Sequence, residues 1–166
     1  MLKRTFGVLT AFILAGLLTA SCYAQEKEGS DSIQLADSYE TVTKALQNET
    51  LLDTSYIPNQ DFKVIATTEK PTLFGKELNT MLIYFFKNVA VRIEMDFKDP
   101  SCKEEIIKLM GEINEDSKKL QPKTEKTEWG EVTSHIWESP VVKISVVHTK
   151  MSSGKELLKV TNEINL

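Results

Sequence analysis

The amino-acid sequence predicts an α+β protein: a two-layer sandwich in which an antiparallel sheet of about six strands carries two helices on one face. Three observations predict it. Residues 78–120 read as a β-hairpin that runs directly into a capped amphipathic helix. Within the hairpin, residues 89–98 read as an alternation of apolar and polar side chains, the period of a strand buried on one side. The order helix then three strands also occurs twice, over 35–97 and over 102–164, an α-β-β-β pseudo-repeat in pattern though not in residue identity.

The first 24 residues are expected to stand outside this fold. Lys3 and Arg4 make a basic start, and residues 6–18 form an apolar run of signal-peptide length, shorter than a membrane span. Cys22 and Ala24 set small residues in the A-x-A-like pattern of a cleavage site before Gln25. The run Leu18-Thr19-Ala20-Ser21-Cys22 also reads as a bacterial lipobox, in which Cys22 is lipidated and becomes the mature N-terminus. Thr19 stands there in place of the usual aliphatic residue. The chain is therefore expected to be exported, periplasmic or secreted, with an envelope-anchored lipoprotein as the alternative.

Cleavage of the 166-residue chain leaves about 142 residues, enough for one core: a tether over 25–34 and a single domain over 35–166. Loss of Lys3 and Arg4 leaves 18 of the 20 basic side chains against 24 acidic ones, so the balance moves from −4 to about −6. That sign argues against nucleic acid and anionic lipid surfaces, which recruit a basic face. Cys102 is then the one remaining cysteine, so packing alone must hold the fold.

In chain order, Leu35, Tyr39, Val42 and Leu46 fall at helical spacing, with Asp37 or Ser38 as the cap. Asn48-Glu49-Thr50 matches a glycosylation sequon. Residues 51–60 are irregular, 62–67 form a short strand, and Lys70-Pro71 and Gly75 break the chain before the hairpin of 78–86 and 89–97. A two-residue turn at Lys87-Asn88 pairs Phe86 with Val89. Strict alternation from there puts Leu78, Leu82, Tyr84 and Phe86 with Val91, Ile93, Met95 and Phe97 on the core face. It leaves Met81, Ile83 and Phe85 beside Ala90, Arg92 and Glu94 on the other.

Ser101 with Glu104 reads as a capping box for a second helix over 102–120, whose inward stripe is Ile106, Leu109, Met110, Ile113, Ser117 and Leu120. Gly111 in mid-helix suggests close backbone packing. Strands are expected at 129–137, 141–149 and 157–164.

The helix start Ser38-Tyr39-Glu40-Thr41-Val42 before Leu46, the hairpin, and Trp129 and Trp137 in the second half resemble the tandem helix-plus-sheet domains of β-lactamase-inhibitory-protein type and of the SmpA/OmlA envelope lipoproteins. The resemblance is one of element order and implies a protein-binding role through the open sheet face. The Gly-Met start common in the envelope lipoproteins is missing, and the inhibitor's disulfides are impossible here.

Catalytic equipment is not visible. His135 and His148 lie in separate strand positions without a second metal ligand at paired spacing. Cys102 is followed by Lys103, Glu104 and Glu105, and the acids oppose thiolate formation. The glycines form no phosphate loop, and no calcium loop appears. Trp129, Trp137 and Tyr84 are able to stack on a sugar or a base, but strand aromatics are more often core. The expectation is an exported, non-catalytic binding domain without a cofactor, acting on another envelope or extracellular protein. Its candidate surface is the two-sided apolar strand: Met81, Ile83 and Phe85 with Arg92. Two alternatives stand beside it. One is a carrier of an apolar ligand in a cavity between Tyr84, Ile93, Met95, Ile106 and Ile113. The other is an enzyme whose distant residues converge in the fold.

Overall fold

In a computed structural model the described residues are 33–46, 49–51, 61–67 and 71–165. The expected signal segment, Cys22, the tether to Ser32 and the sequon asparagine lie outside them. Most of the structure is antiparallel sheet, with two short helices: α1 (Tyr39–Ala45) and α2 (Lys103–Ile113). The strands are β1 (Glu49–Leu51), β2 (Phe62–Thr67), β3 (Thr72–Leu73), β4 (Lys76–Phe86) and β5 (Val89–Phe97) in the first half. In the second half they are β6 (Lys118–Lys119), β7 (Lys123–Thr127), β8 (Gly130–Glu138), β9 (Val142–Met151) and β10 (Glu156–Ile164).

The α+β class stands; the expected six strands become ten among the described residues. The six are β2, β4, β5, β8, β9 and β10. The other four carry too little apolar pattern to read: β7 is Lys-Thr-Glu-Lys-Thr, exposed throughout, and exists because a turn at Glu128-Trp129 folds it onto β8. The main path runs β1-β2-β4-β5-β10-β9-β8-β6, with β7 also on β8 and β3 paired only with β4. Each half is thus a meander of three long strands, joined through β5 and β10 in the middle. Val160 opposite Met95 and Leu158 opposite Phe97 lie at that seam.

Two one-residue bulges decide which side of this sheet is core. The Lys87-Asn88 turn does pair Phe86 with Val89, with both turn residues at positive φ (50° and 63°), as a mirror-image type I turn demands. One step later the ladder skips Val91, so Tyr84 faces Arg92 and Ile83 faces Ile93. A second skip at Asn79 sets Leu78 opposite Phe97. Each bulge moves everything beyond it to the opposite face. Ile93, Met95 and Phe97 therefore join Met81, Ile83 and Phe85, not Leu82, Tyr84 and Phe86. This corrects the expected candidate surface: Ile83 and Phe85 are fully buried and Met81 is 1 % exposed. Arg92 lies on the other side of the sheet from all three.

Both helices contact this buried face. Tyr39 of α1 meets the Phe85 ring edge-on, with centroids 5.2 Å apart, and Val42 is fully buried. Gly111 of α2 lies over the indole of Trp137. Ser38 caps α1 by accepting the Thr41 N–H at 3.1 Å. The entering segment completes the sheet where β10 stops short of the hairpin end. There Ala36 N–H donates to Ala90 O and Ala90 N–H to Asp37 O, each at 2.9 Å.

The second helix differs from expectation at both ends. Pro100–Cys102 form a 3-10 turn capped by Asp99, whose carboxylate accepts the Ser101 N–H at 2.9 Å, so the Ser101–Glu104 capping box does not form. At the other end Asn114 turns its side-chain amide back onto Met110 O at 2.8 Å, a local hydrogen bond that competes with the helix ladder. The helix stops at Ile113, which is 59 % exposed, and Lys118-Lys119 joins the sheet edge instead.

Candidate functional site

The face of the sheet opposite the helices is the candidate site, and it is built in rows across the strands. One row reads Tyr84, Arg92, Glu163, Lys143, Glu138 and Lys118 on β4, β5, β10, β9, β8 and β6. From Arg92 onward the charges alternate in sign. Arg92 reaches Glu163 at 3.3 Å, and Lys143 reaches the same carboxylate at 3.1 Å. Opposite charges on neighbouring strands stabilise pairing by roughly 0.2–1 kcal/mol each.

The next row has shorter side chains: Leu82, Glu94, Thr161, Ser145 and Ile136. Glu94 is the best-held group on the face, its side chain 11 % exposed. It accepts from Arg92 at 2.7 Å and from Lys159 at 3.1 Å. Burial opposes its ionisation, but the bonds and charges of Lys159 and Arg92 outweigh that and hold its pKa below the ordinary carboxylate range. Tyr84 shows the converse. Partial burial first, then the Glu94 charge, push its phenol above the usual value.

Where short hydroxyl and valine side chains lie between these long charged ones, the surface sinks into a depression of about 430 Å³. Its lining comes from the four strands of both meanders: Thr80 and Leu82 of β4, Glu94 and Asp96 of β5, Leu157 and Lys159 of β10, Val147 and Thr149 of β9. None of these was among the four candidate residues read from the sequence: Glu94 was expected on the open face, but Leu82 was read as core. Of the four expected residues only Arg92 is on this face, in the row that walls the depression. No residue at the skip marks it, since Val91 is an ordinary strand residue.

The remaining expectations resolve individually. The five residues of the expected carrier cavity are not brought together: Ile93, Met95 and Ile106 lie in the core, Tyr84 is on the opposite face and Ile113 is exposed. Trp137 is core at 2 % exposure, whereas Trp129 sits at the β7–β8 turn, 74 % exposed. His148 Nε2 lies 2.9 Å from Glu156 Oε2. His135 is apart from that pair, its Nδ1 buried without a hydrogen-bond partner among the described residues. Burial, then the Lys119 charge, lower its pKa. Cys102 donates its thiol to Asp99 O at 2.9 Å, and burial, then the Asp99 charge, raise its pKa.

Among the described residues no group of three or more His, Cys, Asp or Glu side chains is placed to hold a metal, and no helix is long and apolar enough to cross a membrane. No family model matches the chain, and neither a curated protein nor a solved structure matches it.

Proposed function

We propose that the chain is an exported, non-catalytic binding domain that holds another envelope or extracellular protein against the open face of its sheet. In this reading the fold is a two-layer arrangement. The helices cover the face that carries Phe85 and Trp137, and the opposite face is left for a partner. Protein binding is also what the resemblance to the tandem helix-plus-sheet domains implies.

The observation that carries the reading is the depression that spans β4, β5, β10 and β9, where Leu82, Val147 and Leu157 are only half-buried among ion-paired neighbours. An apolar floor with a charged rim is the composition of a protein interface. Capture from the exported fraction tests it, using cross-linked wild type beside the double variant Leu82→Asp/Leu157→Asp. The wild type is expected to hold a stoichiometric protein partner that the double variant, folded by circular dichroism, loses. Retention of every captured protein by the variant would overturn the reading.

A further inference from the structure

We infer that the depression receives a lysine or arginine side chain of the partner protein, its cation on Asp96 and its methylene stem across Leu82, Val147 and Leu157. The inference rests on the reading of this face as the binding surface, and the argument is one of charge.

Every other carboxylate near the depression is already held by cations. Glu94 has one oxygen on Arg92 at 2.7 Å and the other on Lys159 at 3.1 Å. Glu163 takes Arg92 and Lys143. Asp96 differs: it receives the side-chain amide of Asn79 at 3.3 Å, and among the described residues no cation pairs with it. Lys159 stands opposite Asp96 in the ladder, yet its ammonium goes to Glu94. The depression therefore presents one carboxylate without a counter-charge, beside apolar side chains.

A lysine or arginine matches both halves of that surface, because its stem packs on apolar groups while its head seeks a carboxylate. An acidic side chain is rejected, since it would bring like charge against Asp96 in a partly desolvated place. The net charge of −4 steers a basic partner toward the chain at long range.

Methyl NMR titrations with three blocked tripeptides test the inference: acetyl-Leu-Lys-Leu-amide and its norleucine and glutamate counterparts. The lysine peptide is expected to shift the Leu82, Val147 and Leu157 methyls, with the other two about tenfold weaker or silent. Asp96→Asn, which keeps an amide-bonding partner for Asn79, should weaken the lysine peptide by about tenfold. Lys159→Gln frees one oxygen of Glu94 and should tighten it several-fold, a gain that a purely structural role does not produce.

Equal binding of the lysine and norleucine peptides would overturn the inference, as would an unchanged affinity in Asp96→Asn. Native capture separates the two levels. An Asp96→Asn protein that keeps a partner lost by Leu82→Asp/Leu157→Asp sinks the lysine or arginine assignment alone. A double variant that keeps its partner removes the binding face and this inference with it.

Discussion

At the scale of single residues, the sharpest expectations come from two glycines and one histidine. A Cβ built on Gly111 would lie 3.7 Å from Trp137 Nε1, an ordinary contact, so the close backbone approach expected from a mid-helix glycine is not what this position requires. Gly111→Ala should raise the unfolding free energy by about 0.5–1 kcal/mol, read from the denaturant midpoint, because only the helix penalty of glycine is removed. Gly130 is the opposite case. Its φ is +148° and a Cβ would meet Lys150 O at 2.1 Å, so Gly130→Ala should cost on the order of 2 kcal/mol or more in the same measurement. His135 adds a pH dependence. Its folded pKa is lowered by burial and by Lys119, so the unfolded chain binds the proton more readily. Its contribution to stability is complete above the unfolded value of about 6.5 and is lost as the pH falls below it. The thermal midpoint of the wild type should drop between pH 7 and pH 5 more steeply than that of His135→Gln. Parallel slopes would remove His135 as the source.

At the scale of elements, the sequence is informative about where strands lie and poor about which way they face. The Phe86–Val89 turn and the six long strands are all legible from alternation and turn residues. The core face is not, because alternation read outward from the turn passes through Val91, and nothing about a valine announces that the ladder skips it. The same skip hid the candidate site: Leu82 came to the surface beside Glu94 only once Tyr84 paired with Arg92. This has a test. Deletion of Val91 merely regularises the ladder, leaving Arg92 outward and Ile93 inward, so it should fold with native-like dispersion at a cost of roughly 1–2 kcal/mol. Deletion of Glu94 shifts a bulge-free part of the strand, forces either Ile93 or Met95 outward, and should leave no cooperative unfolding transition. Similar behaviour of the two deletions would contradict the register.

At the scale of the whole molecule, the order of the long strands is palindromic: the first, second and third of one half, then the third, second and first of the other. The halves meet where Met95, Phe97, Leu158 and Val160 sit side by side in the core. Neither meander has a separate core, since one cluster contains Phe85 of the first and Trp137 of the second. Unfolding in denaturant should therefore be a single transition, with far-UV circular dichroism and Trp137 emission coincident. A second transition would mean that the meanders melt independently.

The contrast between the two tryptophans gives the protein a built-in pair of optical reporters. Trp137 is sealed under α2, while Trp129 stands out on a turn whose backbone is pinned by Ser152 N–H to Trp129 O at 2.9 Å. An aqueous quencher such as acrylamide should extinguish the red-shifted Trp129 fraction first and leave a blue-shifted remainder that disappears only when the core opens. Trp129→Phe then yields a chain whose fluorescence reports the interior alone, without a label and with the lining of the depression untouched.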